Sequence, residues 1–413
     1  MKVLWFNVTE PTHYKHNNGF VGGWQDSLES IVSQCEDIEL TIAFTSLYSN
    51  QVKLNNRVKY IPIHMTYSFL ERVSSKISWK TEAHKIIAKA KEIIESLKPD
   101  IIHVFGTEWP FGLISNYTNI PVVIHIQGSI LEINHFLYPP NYNIFDELYE
   151  MRFHIRKFME KILQPLLNKS RYLMEKEIWR INKFYMGRTQ WDFYLSKRMH
   201  PNRQYYHVDE ALREPFVNLS QYWHFKDSER TILFSTGCSS FWKAPNLLLK
   251  TARILKKNNF NFEWFVAGYM SEHLKNIIER KEKTSFAENN IFFLGWQTAE
   301  QIQERLVSSS LYIHNAYIEN SPNSICEAQI TGIPIISTDV GGIPSLIENG
   351  KTGFLVPIDS PELMADKIIS LSQNKELLCK ISKKAQIAAK QRHDEKKILN
   401  QLLNCYRSII NQR

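Results

Sequence analysis

The sequence is poor in cysteine and lacks the spacing that would organise the few cysteines it has. Its five cysteines are widely separated, and no two of them form a Cys-x-x-Cys pair. An odd number of scattered cysteines predicts neither a disulfide framework nor a zinc knuckle. We therefore expect a protein of the reducing cytosol.

Long apolar runs are also missing. The opening apolar stretch, Val3 to Val8, gives way at once to Thr9, Glu10 and Pro11, so it is too short for a secretory signal and reads as a buried strand. No run approaches the roughly 18 apolar residues of a membrane-spanning helix. Hydrophobic residues nevertheless make up 43% of the 413 residues, which is enough for substantial cores and predicts two globular domains.

The positive charge is unevenly distributed. The net charge is +8, and residues 151–188 hold ten Lys or Arg against three Glu. Such a concentration indicates an anionic partner, for which phosphate-bearing substrates, an anionic lipid surface and nucleic acid are all candidates. A solvated helical face explains the same charge equally well, so charge alone does not identify the partner.

Short apolar runs alternate with helical patterns in two series. The first series comprises residues 3–8, 40–44, 58–63, 101–105 and 122–126, and the second comprises 232–235, 262–267, 291–294, 311–314 and 334–337. This alternation predicts an α/β fold with parallel sheets and helices on their faces. The predicted divisions are an N-terminal domain 1–208 with a helical basic insert at about 147–183, a linker 209–229, a second domain 230–385 and a C-terminal helix 386–413.

The segment from His314 to Gly342 carries the most informative local pattern. A strand ends near His314, and Ser321-Pro322 predicts a helix start, with Ser as the cap and Pro at the first helical position. The free amides of Asn323 and Ser324, with the positive end of the helix dipole, would suit a diphosphate. Glu319 precedes this helix and Glu327 lies inside it, so both could accept hydrogen bonds from sugar hydroxyls. An ordinary capped helix with solvated glutamates is the alternative.

This segment resembles the signature of the family 4 retaining glycosyltransferases, which have the GT-B fold. The resemblance lies in two glutamates with seven residues between them, in the following Gly-x-Pro-x-Ile and Asp-Val-Gly-Gly, and in residues 348–356. It implies that Glu319 contacts the hydroxyls of the donor sugar and that Glu327 contacts the ribose. It also implies that Ser321 lies at the donor and that Asn323 and Ser324 lie at the donor's diphosphate.

Residues 235–249 resemble the family's phosphate-binding loop, in which an Arg and a Lys hold the donor diphosphate. Lys243 stands at the Lys position, whereas Cys238 stands at the Arg position, which puts part of the phosphate clamp in doubt. Leu294-Gly295-Trp296 resembles the loop beside the nucleotide base, so Gly295 is a predicted donor residue. A tryptophan at a strand end is equally often part of the core.

In the N-terminal half, Gly22-Gly23 resembles the family's glycine loop, and Gln127 stands where many relatives have an active-site histidine. His125 is predicted to be buried and bonded to the backbone. Two further pieces, which contain Glu108 and Arg188, resemble a subgroup of bacterial surface-polysaccharide assembly. For Arg188, a surface helix pair with Asp192 is the alternative.

The resemblance implies two Rossmann-like domains with a C-terminal helix crossing back to the first. It implies a metal-independent retaining transferase, with Glu319 and Lys243 as catalytic residues and with Gly22, Gly23, Gln127, Glu108 and Arg188 at the acceptor or in the interdomain cleft. No Asp-x-Asp pair stands at a strand end to hold a metal. We expect a nucleotide-sugar donor, UDP-linked rather than GDP-linked, and no cofactor or nucleic acid.

The expected acceptor is a glycan or lipid-linked glycan, and an anionic membrane surface at the inner face of the membrane is a candidate partner. Two alternatives to transfer stay open at this point. One is a nucleotide-sugar epimerase or phosphorylase of the same fold, and the other is a degenerate, non-catalytic partner that only binds a sugar nucleotide.

Overall fold

The computed structural model describes residues 1–14, 23–47 and 50–412. The chain divides into two compact units. The first comprises Met1–Glu132, Ile155–Ala211 and Asp394–Arg413, and the second comprises Ile133–His154 and Leu212–His393. Each unit is an α/β structure built around its own parallel sheet.

The strands that the structure describes are β1 (Lys2–Asn7), β2 (Glu39–Ser46), β3 (Lys53–Asn55), β4 (Val58–His64), β5 (Ile101–Phe105), β6 (Val122–His125), β7 (Phe184–Gly187), β8 (Gln204–His207), β9 (Thr231–Thr236), β10 (Phe262–Ala267), β11 (Ile291–Gly295), β12 (Leu311–His314), β13 (Ile335–Thr338) and β14 (Phe354–Val356). Each of the predicted strands is present, with bounds that agree within two residues. The α/β prediction is therefore confirmed.

The α-helices of the described residues are α1 (Trp24–Val32), α2 (Phe69–Ser74), α3 (Lys80–Leu97), α4 (Ile130–Ile133), α5 (Ile144–Glu150), α6 (Ile155–Ile181), α7 (Gln190–Met199), α8 (Glu214–Val217), α9 (Pro245–Lys257), α10 (Glu272–Glu282), α11 (Ala299–Ser308), α12 (Asn323–Thr331), α13 (Pro361–Ser372), α14 (Lys375–Arg392) and α15 (Glu395–Ile410). None of these helices is long and apolar enough to cross a bilayer.

The first unit contains an eight-stranded sheet in the order β3-β4-β2-β1-β5-β6-β7-β8. Neighbouring strands are parallel except that β3 runs antiparallel to β4. The strands β1, β5 and β6 are almost entirely buried, as expected for a parallel sheet covered by helices on both faces. The order reverses direction between β1 and β5, which places a topological switch point at their carboxyl ends.

The last helix, α15, belongs to the first unit. Its buried stripe includes Ile398, Leu402 and Tyr406 and packs in the same core as Trp5 of β1. The Trp5 indole donates to the Tyr406 hydroxyl at 2.9 Å. The C-terminal apolar stripe therefore packs back on the N-terminal sheet, as predicted.

The segment 133–154 is grouped with the second unit, although its chain position lies between two parts of the first. Its helix α5 packs against α10, where Lys281 lies 3.0 Å from the Asp146 carboxylate and the Tyr142 hydroxyl donates to Glu282 at 2.8 Å. The sequence predicts that this segment belongs to the N-terminal domain 1–208, because of its position in the chain. The structure groups it with the second unit instead, through contacts with distant residues that the sequence does not reveal.

The second unit contains a six-stranded parallel sheet in the order β11-β10-β9-β12-β13-β14. Its core includes Trp264, Leu233 and Tyr312, which are inaccessible to solvent. The strand order reverses between β9 and β12. Ligands of open α/β sheets bind at such a reversal, outside the carboxyl ends of the strands.

Candidate functional site

Two loops meet at the switch point of the second sheet. Lys243 ends a short 3-10 turn, Phe241–Lys243, in the loop after β9, and Glu319 lies in the loop after the neighbouring strand β12. The backbone amide of Tyr317 donates to the Trp242 carbonyl at 2.8 Å and ties the two loops together. Sheet topology therefore brings together two residues that are far apart in the chain.

Lys243 and Glu319, the two predicted catalytic residues, form an ion pair. The Lys243 Nζ donates to Glu319 Oε1, and the side chains are 28% and 14% exposed respectively. Exposure of this size leaves both groups within reach of a bound molecule. The pair supplies one positive and one negative group side by side at the switch point.

Buried polar atoms without a partner lie at the end of β12 and in the loop that carries Glu319. Among the described residues, both ring nitrogens of His314, both side-chain polar atoms of Asn315 and the Ser321 hydroxyl are buried and make no hydrogen bond. Burial lowers the pKa of His314 to about 4, so its ring is neutral at pH 7. Orphaned buried polar atoms are rare in native proteins, so these side chains have hydrogen-bonding capacity that a bound polar molecule or water could use.

The helix that follows begins one residue later than predicted. Its first residue is Asn323, with Pro322 at the N-cap position and no side-chain capping bond. The expectation that Ser321 caps the helix and Pro322 opens it is therefore wrong, because Pro322 adopts extended backbone geometry (ψ 119°). Asn323 and Ser324 now occupy the first helical turn, where backbone N–H groups have no intrahelical acceptor. The predicted anion site of α12 thus keeps its donors, and Ser321 is left with a free hydroxyl.

Glu327 is held by a residue that the sequence analysis missed. Arg213 donates from Nε and Nη2 to the two Glu327 carboxylate oxygens at 2.6 and 2.8 Å. Burial raises the pKa of Glu327 above its usual range, and the Arg213 guanidinium lowers it again. Arg213 lies in the stretch predicted to be a linker and carries no motif. Nothing in the sequence could have identified it.

Cys238 contributes no charge to the site. Its side chain is 1% exposed within the core of the second unit, and burial raises its thiol pKa to about 12, so it is neutral at pH 7. The position where the resemblance implies an arginine therefore adds no second cation to Lys243.

The strand β11 ends at the predicted donor residue Gly295, which has a φ of +66°. The next residue, Trp296, is 58% exposed, so the alternative that this tryptophan is a core residue is wrong. Gly295 N–H and carbonyl groups lie beside β10, where the Gly268 amide donates to the Gly295 carbonyl at 2.8 Å. The β11 loop thus reaches the same carboxyl edge as Lys243.

The Glu319 backbone is fixed by the glycine pair of the downstream motif. The Gly342 amide donates to the Glu319 carbonyl at 2.9 Å, and Gly341 has a φ of +54°. A Cβ atom on Gly341 would lie 1.9 Å from that carbonyl oxygen. Only glycine fits this contact.

We therefore expect Gly341→Ala to displace Glu319 and to reduce kcat/KM for the donor by at least about tenfold, because a clash with backbone adds to the cost of a left-handed alanine. Gly350→Ala is the matched control, since Gly350 has a φ of +75° but open space around its Cβ position. Equal activity of the two variants would show that the Gly341 contact does not position Glu319.

The first unit gathers most of the predicted acceptor residues at its own carboxyl edge. Glu108 follows β5 and Gln127 follows β6, and a Cβ atom on Gly106 would lie 2.4 Å from Glu108 Oε2 and 3.9 Å from Gln127 Cβ. Burial raises the pKa of Glu108 to about 7, and the neighbouring Glu175 adds to the rise. The carboxyl group of Glu108 thus keeps its proton to a higher pH than an exposed carboxyl group does.

Arg188 follows β7 and joins the same cluster. Its Nη2 lies 3.3 Å from the Ile126 carbonyl, and its guanidinium lies 4.4 Å from the ring centre of Trp24. Because Arg188 is only 2% exposed, the surface-pair interpretation is wrong. Asp192 instead accepts from the Arg188 backbone amide at 2.7 Å and from Thr189 in a capping box at the start of α7.

Of the predicted glycine pair, Gly23 is the N-cap residue of α1, directly before Trp24, with open space at its Cβ position. Gly22 lies outside the described residues. His125 is fully buried, as predicted, but its Nδ1 lies 3.2 Å from His103 Nε2 rather than on the backbone. Burial lowers the pKa values of both histidines, so both are neutral.

Comparison with known proteins identifies a family model and relatives that resemble part of this chain. Residues 223–388 match the family model described as glycosyl transferases group 1. A curated relative, the poly(ribitol-phosphate) alpha-N-acetylglucosaminyltransferase of Staphylococcus aureus, is 28% identical over 169 residues, which cover 40% of this chain and 33% of that protein. The chain spans about a third of the length of the first curated relatives it matches.

Solved structures match over the whole chain. Sucrose-phosphate synthase from Thermosynechococcus elongatus has a TM-score of 0.75 at 14% identity, with 100% of both chains covered. The Anabaena protein HepE, solved in complex with UDP-glucose, has a TM-score of 0.62 at 15% identity and covers 99% of this chain and 100% of its own. These likenesses confirm the GT-B fold.

The matched region contains Lys243, Glu319, α12 and Glu327, which are the residues that carried the family resemblance in the sequence. Residues 223–388 therefore match the glycosyl transferases group 1 family, in a chain of GT-B fold.

Proposed function

We propose that this protein is a retaining glycosyltransferase that moves a sugar from a nucleotide donor to a glycan or lipid-linked glycan in polysaccharide biosynthesis. The observation that carries the proposal is the cluster at the switch point of the second sheet. There, the Lys243–Glu319 pair lies beside the unpartnered polar atoms of His314, Asn315 and Ser321. The cluster offers a cation, an anion and neutral hydrogen-bonding groups in one place.

Each group of the cluster suits one part of a nucleotide sugar. Lys243 and the first amides of α12 favour a diphosphate, because both present positive charge. Glu319 accepts from sugar hydroxyls once the diphosphate competes for Lys243. The carboxylate of Glu327, held at both oxygens by Arg213, accepts from the ribose, and the exposed ring of Trp296 lies in the loop assigned to the base.

The proposed reaction breaks the bond between the anomeric carbon and the diphosphate oxygen and forms a bond from that carbon to the acceptor oxygen. The transition state carries positive charge on the sugar and negative charge on the leaving diphosphate. Lys243 and the α12 amides stabilise the leaving group. The acceptor hydroxyl gives its proton to a phosphate oxygen on the same face, so configuration is retained without a protein nucleophile.

We propose a UDP-linked donor, a choice supported by the likeness to HepE, which was solved with UDP-glucose. A polymeric acceptor is supported by the relative named for poly(ribitol-phosphate), which is a polymer of sugar-alcohol phosphates. The cluster of Glu108, Gln127 and Arg188 in the first unit is the proposed acceptor site. The basic helix α6 supports an acceptor presented at an anionic membrane surface, at the inner face of the membrane.

Titration of the purified protein with UDP-sugars and GDP-sugars by calorimetry tests the donor site. We expect one UDP-sugar to bind, with equal affinity in EDTA and in Mg²⁺ or Mn²⁺, because Lys243 and helix amides replace a metal at the diphosphate. Binding that disappears in EDTA and returns with either metal would overturn the metal-independent mechanism. Failure of every nucleotide sugar to bind would overturn the proposed function itself.

A further inference from the structure

Two helices of the first unit expose large apolar side chains instead of burying them. On α2, Phe69 and Leu70 are 79% and 78% exposed, and none of the described residues of this helix is buried. On α6, buried residues begin only at Met174. Large exposed apolar patches on a protein of this size mark an interaction site.

The exposed apolar residues of α6 form one stripe. Ile155, Met159, Ile162 and Leu166 are separated by four, three and four residues, the spacing of a single helical face, and each is at least 44% exposed. In a helix that packs against the core of its own domain, such an apolar face is normally buried. Here it is left uncovered by the described residues over about three turns.

The segment that follows α2 contacts α6 at two points. Lys76, two residues beyond α2, places its Nζ 2.8 Å from Glu160 of α6, and the Ser78 hydroxyl lies 3.3 Å from that of Ser170. These contacts connect the chain that leaves α2 with α6, and the exposed apolar side chains of the two helices are Phe69, Leu70, Ile155, Met159, Ile162 and Leu166. We refer to these six residues as the α2–α6 surface.

The charge around the α2–α6 surface is positive. On α6, Arg156, Lys157 and Lys161 flank the stripe, and Glu160 is paired with Lys76 and Arg156. On α2, Glu71 is paired with Lys85 at 2.8 Å. The other charged residue of this helix, Arg72, has no ion-pair partner among the described residues. Exposed apolar groups interleaved with basic ones suit a bilayer of anionic lipid, whose headgroups attract the cations while its acyl region takes up the apolar side chains.

We propose that the α2–α6 surface binds an anionic phospholipid bilayer by inserting Phe69, Leu70 and the α6 stripe among the lipids. This deepens the proposed function, since it names the surface that would bring the enzyme to a lipid-linked acceptor. Vesicle binding is measured without donor or acceptor, so failure of this inference is separable from failure of the proposed transfer reaction.

The test is sedimentation with vesicles of phosphatidylcholine alone or mixed with phosphatidylglycerol. The wild type should bind the mixed vesicles more tightly, and part of this binding should survive high salt because apolar insertion is not screened. Phe69→Ser/Leu70→Ser and, separately, Ile155→Ser/Met159→Ser should each lower vesicle affinity by about tenfold or more. Arg156→Gln/Lys157→Gln should remove the preference for the anionic lipid.

The matched control is Leu363→Ser/Ile387→Ser, which removes two comparably exposed apolar side chains from the second unit and should leave binding unchanged. Circular dichroism checks that every variant is folded. Equal affinity of wild type and both α2 and α6 variants for the mixed vesicles would overturn the proposal. So would a lipid-free dimer in sedimentation velocity that the Phe69→Ser/Leu70→Ser variant abolishes, because the surface would then serve a second copy of the chain.

Discussion

Glu319→Ala is expected to abolish sugar transfer while the protein stays folded. Glu319 is paired with Lys243 at the sheet switch point, and the Lys243 side chain is 28% exposed, so the loss of Glu319 leaves no deeply buried charge behind. The carboxylate is the proposed acceptor for the hydroxyls of the donor sugar. Steady-state kinetics with a saturating donor, together with thermal melting, measure both parts of the expectation.

Glu263→Ala provides the control for Glu319→Ala, because Glu263 is also paired with a basic residue, Arg230, but lies at the surface of β10. Its activity should stay near that of the wild type. A Glu319→Ala enzyme with near-normal kcat/KM would show that Glu319 has no role in the reaction.

Glu327 needs a different substitution. A solvated glutamate could be replaced by alanine with the fold intact, but the Glu327 carboxylate is buried against Arg213. Removing one partner of a buried ion pair costs about 3–5 kcal/mol, so Glu327→Ala should also destabilise the protein. Glu327→Gln keeps the volume and separates the loss of charge at the ribose from the loss of folding.

Removing the cation instead should change the pH dependence of the reaction. Arg213 lowers the pKa of Glu327 against the raising effect of burial. In Arg213→Ala, the pKa of Glu327 should rise, so the carboxylate should become protonated at a higher pH. As the pH is lowered, activity that needs the ionised carboxylate should therefore be lost earlier than in the wild type. An unchanged acid limb of the pH–kcat/KM profile would show that Glu327 does not act as a carboxylate.

Lys243→Ala is expected to lower kcat/KM by about 10² to 10³. Loss of one preorganised electrostatic partner of a leaving group typically has an effect of this size. The effect should lie at the upper end, because neutral Cys238 stands where the family has a second cation. Rates measured in EDTA exclude rescue by a metal.

Lys250 offers a matched control for Lys243. It is a lysine of similar exposure, on α9, whose Nζ lies 3.8 Å from Glu282 rather than at the switch point. Lys250→Ala should change kcat/KM by less than a few-fold. If Lys243→Ala behaves in the same way, the leaving group is stabilised by something else.

The sheets could be predicted from the sequence, because buried parallel strands are short apolar runs that stand out between helices. The strands β7 and β8 were missed because their residues are mostly aromatic or polar, and β14 was missed because Phe-Leu-Val is too short to stand out as a run. The short edge strand β3, with the polar sequence Lys-Leu-Asn, was missed for the same reason.

The candidate site was predictable where a local motif carries it. Glu319, Asn323, Ser324 and Lys243 stand next to strand ends or a helix start, and these positions can be read from the chain. Arg213 could not be found, because its role depends on a contact with Glu327 more than a hundred residues away. His314 and Asn315 are two polar residues at the end of an apolar strand, which is only a weak sequence indication of a site. Their candidate role rests on the structure, in which both are buried and have polar side-chain atoms without a hydrogen-bond partner.

The central claim is that the second unit activates a nucleotide sugar for transfer to an acceptor. The most direct test is the rate of nucleotide release from a panel of UDP-sugars with and without glycan and lipid-linked glycan acceptors, with NMR of the product's anomeric configuration. We predict release that depends on an acceptor, persists in EDTA and gives a product with the configuration of the donor. An inverted product would contradict the retaining mechanism, and no acceptor-dependent release from any donor would contradict the claim itself.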